Sequence, residues 1–343
     1  MNLPPGFSRY REAIETELRS LIMSKTLPFY RMMAYHMGWV DDQGDQAGAV
    51  EADSGKRAHP TLCLLTCEAL GGDTGLAMPA AAALELIHNF SLIHGDIQDG
   101  IPERHHRPTV WWVWGPAQAI NAGDGMHALA RLSMLRQIDA GMETVKVLRA
   151  VELLDIACLR LCEGQYLDLT YRERVDISRD AYFQMVNGKT AALMSCAAEL
   201  AALMAYGDQK SMQAMASYGQ KLGLAYQIRD DILDLWGTDN VTPPIAGDIL
   251  NKKKSLPIIY AIENATGAQR RALGDVYFKR VIELEDLQSI IGVLDSLGAR
   301  EYCQEQADAL CQEAIQILDE ANLSSHGLKE LGELAYYLAS RDL

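Results

Sequence analysis

Residues 223–237 read GLAYQIRDDILDLWG. Gln227, Asp230, Asp231 and Asp234 stand at offsets 0, 3, 4 and 7. At roughly 100° per residue they share one stripe of a helix, about a quarter-turn wide. Periodicity carries that helix back to about Ser211, and Gly223 falls on the same stripe, where it is expected to leave room above the helix. Leu222, Ala225, Tyr226, Ile232 and Leu233 supply apolar surface beside it. Three carboxylates this close repel one another, and burial raises the cost. A DDxxD is often only a solvated acidic face. Here the apolar neighbours and Gln227 favour a divalent-cation site, and oxygen ligands without Cys or His suit magnesium.

Working outward, helical periodicity dominates the 343 residues and strand alternation is scarce. Helices are expected over 5–23, 27–39, 60–71, 79–99, 116–137, 143–172, 180–206, 209–236, 256–265, 267–281, 284–297, 299–321 and 326–341, with 40–54 an acidic, Gly-containing loop. Length alone would allow about two domains, but no linker, low-complexity run or short repeat divides the chain, so one all-α domain spanning 1–343 is expected. Metal sites in such bundles are built from side chains on facing helices. A net charge of -15 excludes a broad nucleic-acid surface, which needs basic patches. Seven cysteines, with Cys63/Cys67 and Cys158/Cys162 each one turn apart, read as small buried hydrophobes in a reducing cytoplasm. The N-terminus shows no signal-peptide core, and the longest uncharged stretch, 108–123, is broken by Pro116 and Asn121 and reads as no membrane span.

A second acidic helix is read at 81–99, AAALELIHNFSLIHGDIQD. Glu85, His88, Leu92, Asp96 and Asp99 fall within about 80° of one another, so Asp96 and Asp99 can face Asp230 and Asp234 across a cavity. Basic groups punctuate the same regions: Lys56 and Arg57 opening one helix, Arg104 and Arg107 after the acidic helix, Lys189 early in another, and Lys252–Lys254 before Ser255-Leu256-Pro257. Singly each is a solvated charge. Together with two acidic helices they suggest a polyphosphate held by metal on one side and cations on the other.

In order, GKRAHP, ELIHNFSLIHGDIQD, RHHRPT, EGQYLDL, GKTAAL, YQIRDDILD and KKSLP resemble the signposts of the trans-isoprenyl diphosphate synthases, the family of farnesyl and geranylgeranyl diphosphate synthases. The resemblance covers nearly the whole chain. It implies the all-α isoprenoid synthase fold, usually a homodimer, with three Mg2+ ions bridging two Asp-rich helices to an allylic isoprenyl diphosphate. It makes Asp96 or Asp99, Asp230 and Asp234 metal-ligand candidates, with Asp231 acting behind them or through water. Arg104, Lys189 and Lys253 would hold the allylic diphosphate, and Thr190 and Gln227 would orient it or its cation. Lys56, Arg57 and His88 would hold isopentenyl diphosphate, and Gln165 and Asp168 would line the metal and cation region. Phe90, five residues before the Asp-rich motif, would floor the chain pocket or serve as ordinary core.

Four departures fall around one pocket. Gly95 replaces the first Asp of DDxxD and is expected to serve clearance; His59 and His105 replace arginines that in the family bind isopentenyl diphosphate; and Pro243 or Pro244 replaces a lysine. A neutral imidazole lacks both the fixed charge and the bidentate fork of arginine. If His59 and His105 act as imidazolium, condensation weakens as pH rises from about 6 to 8. Three readings follow: chain elongation with a modified acceptor site; a terpene-synthase-like lyase, or transfer to another acceptor, without isopentenyl diphosphate; and a weakly active or non-catalytic subunit.

Overall fold

The computed structural model describes residues 4–46, 55–205, 208–237, 247–321 and 323–341. Pro243, Pro244 and most of the expected 40–54 loop lie outside them. The helices are α1 (Pro5–Ile22), α2 (Pro28–His36), α3 (Ala58–Ala69), α4 (Thr74–Asp99), α5 (Val110–Trp114), α6 (Pro116–Asp139), α7 (Thr144–Tyr171), α8 (Arg179–Val186), α9 (Ala192–Ala205), α10 (Gln209–Trp236), α11 (Gly247–Leu250), α12 (Leu256–Asn264), α13 (Gly267–Tyr277), α14 (Leu284–Ser296), α15 (Ala299–Glu320) and α16 (Ser325–Ser340). One turn of π-helix, Asn187–Ala191, joins α8 to α9. Among the described residues the only strands are β1 (Glu103–Arg104) and β2 (Arg107–Pro108), an antiparallel pair. The architecture is the all-α bundle that periodicity implies.

Local chemistry sets the boundaries. Pro5, Pro28 and Pro116 open α1, α2 and α6, where a missing N–H leaves no hydrogen bond unmade. Asp73, Ser178, Asp208 and Ser324 accept from the first free N–H groups of α4, α8, α10 and α16, a contribution of about 1 kcal/mol each. The Asp73 cap starts α4 at Thr74 rather than at 79, and Pro79 sits inside the helix. Its carbonyl accepts Ser133 Oγ at 2.7 Å, which ties α4 to α6.

Helix α4 packs against α3 and α6, and α10 packs between α9 and α15. By length and composition α4 could cross a membrane, yet 67% of its apolar window is buried in the bundle. Helices approach closely at glycines. A Cβ on Gly164 of α7 would fall 2.1 Å from the backbone nitrogen of Lys189, and one on Gly223 of α10 would fall 2.6 Å from Ala191 Cα. The room expected above Gly223 is therefore filled by the π-helical turn; the glycine serves close packing instead. All seven cysteines are free thiols, and Cys162, expected in the core, is exposed beside the main cleft. On the outside, Leu132 and Leu135 of α6 and Val145, Leu148 and Leu159 of α7 are exposed.

Candidate active site

The C-terminal halves of α4 and α10 line one cleft of about 880 Å3, with Asp96 and Asp99 contributed by α4 and Gln227 and Asp230 by α10. A second cavity of about 420 Å3 shares Lys189, Gln227, Asp230 and Lys253 with it and adds Asp168, Asp231, Asp234 and Asp248. The two acidic helices thus face one space, as their patterns implied.

The α10 carboxylates divide by environment. Asp231 is buried. Its Oδ1 accepts Gln227 Nε2 at 2.9 Å, and its Oδ2 accepts the Tyr182 hydroxyl at 2.8 Å and the Leu256 N–H at 2.9 Å. Burial, then the Asp248 carboxylate, pushes its pKa up to about 7. It anchors α8, α10 and the start of α12 rather than reaching into the cleft. Gln227 is held in turn by Thr190, whose Oγ1 donates to Gln227 Oε1 at 2.6 Å. Asp234 Oδ2 accepts the Asp248 N–H at 3.1 Å, and burial and Asp248 raise its pKa as well. Asp230 keeps 41% of its side chain exposed, paired with Arg341 from beyond α16.

On α4 the carboxylates are already matched by cations. Asp96 is buried, and its Oδ1 accepts Arg104 Nε at 3.0 Å and Nη2 at 2.7 Å. It lines the cleft, but its Oδ1 is taken up by Arg104. Asp99 meets Arg172 at 2.7 Å and Lys253 at 3.5 Å. Asp168 meets Lys189 and Arg172, each at 3.0 Å. Burial opposes the Asp168 charge, but Lys189 and Lys253 hold its pKa below the usual value. Burial likewise opposes the Lys253 charge, yet Asp248 and Asp99 raise its pKa. A Cβ on Gly95 would meet nothing within 4 Å. Gly95 therefore clears no protein atom; it lines the cleft, and the missing carboxylate leaves open space there.

The acceptor side differs from expectation. Lys56, Arg57, His59, His88 and His105 do line the cleft, joined by His36. Arg57, however, is 4% exposed and committed to the protein, with Glu15 and Glu85 each at 2.8 Å. His59 is 7% exposed, with its ring 4.6 Å from that of His88. Burial, then the charge on His88, pushes the His59 pKa down to about 3. Burial also lowers His88, and brings His36 down to about 3. With no diphosphate beside it, burial thus favours the neutral form of His59. Accordingly, His59→Gln is expected to leave the pH dependence of activity between about 6 and 8 unchanged, measured as rate profiles of both proteins. His105 is exposed on the two-residue turn between β1 and β2, at φ 50°.

Phe90 lines the cleft with its ring 5.1 Å from His94 and 5.2 Å from His127, and Gln165 donates to Gln98 at 2.8 Å. Sequence reasoning did not single out His36, Arg172, Tyr182, Asp248 or Arg341. Of these only Arg172 carried a local signal, the i,i+4 spacing from Asp168 at the C-terminal end of α7.

Among the described residues no three His, Cys, Asp or Glu side chains stand in metal-binding geometry. The donor chemistry nevertheless fits magnesium along α10, where Asp230 and Asp234 lie one turn apart beside Lys253. It fits α4 less well, because Asp99 is held by two cations and position 95 has no carboxylate.

The polyprenyl synthetase family pattern matches residues 47–294. The chain is 33% identical to a (2E,6E)-farnesyl diphosphate synthase of Mycobacterium tuberculosis over 314 residues, covering 90% of this chain and 85% of that protein. A geranylgeranyl diphosphate synthase of the same organism is 35% identical over 306 residues, covering 89% and 85%. The solved polyprenyl synthetase of Streptomyces coelicolor superposes with a TM-score of 0.88 at 33% identity, covering 97% of this chain and 98% of that one. A geranylgeranyl pyrophosphate synthetase of Pyrococcus horikoshii gives 0.86 at 30%, covering 98% of each. With its two acidic helices facing one cleft and these likenesses along nearly its full length, the chain belongs to the polyprenyl synthetase family of prenyltransferases, as a short-chain prenyl diphosphate synthase at the family level.

Proposed function

We propose that the chain ionises an allylic isoprenyl diphosphate in the α4–α10 cleft with Mg2+ and joins the resulting cation to isopentenyl diphosphate. The observation that carries this reading is the Asp230–Asp234 edge beside Lys189 and Lys253, opening into the larger cleft. Bound magnesium supplies positive charge to the leaving diphosphate. Lys189, Lys253 and Arg104 neutralise the remainder. Gln227, fixed by Thr190 and Asp231, lines the cleft and would orient the diphosphate or its cation. The apolar part of the cleft, with Leu161, Leu169 and Leu193, keeps water from that cation. Lys56, His88 and His105 hold the acceptor. Phe90 limits chain growth, which favours a product of about fifteen to twenty carbons.

A second reading has its own support. Arg57 is bound internally and burial favours neutral His59, so the acceptor subsite has fewer free cations than the sequence pattern implies. That favours cyclisation, water capture or transfer to an uncharged acceptor. Product analysis with farnesyl or geranylgeranyl diphosphate and Mg2+, with and without isopentenyl diphosphate, separates the two. A longer linear diphosphate formed only with isopentenyl diphosphate is the expected result. A hydrocarbon or alcohol formed without it would replace elongation by the second reading, and no metal-dependent diphosphate release would leave only a non-catalytic subunit. The exposed leucines of α6 and α7 suit a homodimer face, and the free cysteines suit the cytoplasm.

A further inference from the structure

Arg172 follows the last residue of α7, and its carbonyl, which accepts Lys254 Nζ at 2.9 Å, fixes it there. Its Nη2 donates to Asp99 Oδ1 at 2.7 Å and to Asp168 Oδ2 at 3.0 Å. The guanidinium side chain is 13% exposed, and the two carboxylate side chains are 8% and 5% exposed. Lys253 approaches the other oxygen of Asp99, and Lys189 meets Asp168. Lys189, Asp168, Arg172, Asp99, Lys253 and Asp248 therefore form a row in which three bases alternate with three acids. Arg172 lines neither cavity, so it acts on the carboxylates from behind and not on a ligand.

We propose that Arg172 is a fixed internal cation that closes the first acidic helix to divalent metal and leaves α10 to carry it. A metal ion reaching Asp99 must displace a guanidinium and an ammonium from a nearly buried carboxylate. The displaced guanidinium would lose half its pairing inside the protein, which is strongly unfavourable. Gly95 offers no second carboxylate to offset this, although the space at its Cβ is open. On α10, by contrast, Asp230 has one cationic contact, Arg341, and keeps 41% of its side chain exposed. The inference rests on the metal-dependent reading above and changes its arithmetic. The protein takes fewer divalent ions than the three that the family resemblance implies, and Lys189, Lys253 and Arg104 supply the remaining charge.

Titration with Mn2+ in the presence of inorganic diphosphate, following free Mn2+ by electron paramagnetic resonance, tests this without turnover. The wild type is expected to bind fewer than three ions per chain. Arg172→Gln is expected to gain one ion, and Arg172→Lys, which keeps the charge, to stay at the wild-type count. Three ions in the wild type, or an unchanged count in folded Arg172→Gln, would overturn the proposal. Should Arg172→Gln not fold, Asp99→Asn decides: an unchanged count upholds the proposal and a lost ion overturns it. Asp230→Asn is expected to lose an ion; full retention there would sink the metal-dependent reading itself, a result distinct from failure at Arg172.

Discussion

Asp230→Asn is expected to lower metal-dependent diphosphate release from an allylic substrate by about a hundredfold or more, the scale on which removing one stabiliser of developing transition-state charge acts. Asp230 is the most exposed carboxylate on the α10 stripe, and it lines both cavities. Asn keeps its shape and removes the charge that draws a divalent ion. The fold should survive, because Arg341 keeps its bond to the Leu338 carbonyl at 2.8 Å and its place 3.9 Å over the Tyr226 ring. Single-turnover release of diphosphate, with the melting temperature of each protein, checks both statements. Unchanged release in a folded variant would remove Asp230 from the metal assignment.

Asp231 shows why position on a stripe is not enough. It shares the helix face of Gln227 and Asp234, yet hydrogen bonds from three separate elements turn it into an anchor. The helix period made the stripe legible, and the same arithmetic brought Asp96 and Asp99 to the cleft opposite it. What the period does not encode is which cation each carboxylate meets. Arg341 reaches Asp230 from 111 residues away, and Asp248 meets Asp234 through a backbone N–H. Such pairings arise from tertiary packing and leave no local pattern. Likewise, GKRAHP is read as an anion-binding start to a helix. Its Arg57 instead adopts a left-handed backbone at φ 51° and turns inward. That outcome depends on Glu15 of α1 and Glu85 of α4, neither of which is near it in sequence.

The inward turn of Arg57 makes the second large prediction one of stability. Arg57→Met is expected to destabilise the folded state by about 3–5 kcal/mol, as removing one partner of a buried ion pair does. Glu85 is 2% exposed and would remain buried without Arg57, whereas Glu15 lies nearer the surface. Non-Gly residues in the left-handed region cost of order 1–3 kcal/mol, and Met inherits that cost without the ion pairs that offset it. The pH dependence has a definite sign. In the wild type burial opposes the Glu85 charge, but Arg57 holds its pKa below the ordinary value. That contribution is present above the unfolded pKa and is lost as pH falls through the folded one. In Arg57→Met the largest influence opposing burial is gone and the pKa rises, so the penalty is greatest at high pH and is relieved on acidification. Denaturant unfolding at about pH 8 and about pH 5 should therefore show the gap between the two proteins narrowing at the lower pH. Adding Glu85→Leu to Arg57→Met should recover much of the loss, because a buried pair replaced on both sides leaves no orphan charge. A stable Arg57→Met protein with a sharply raised KM for isopentenyl diphosphate would instead return Arg57 to the acceptor site. It would also restore to that subsite the fixed charge that neutral His59 does not provide, and so strengthen the elongating reading over the lyase.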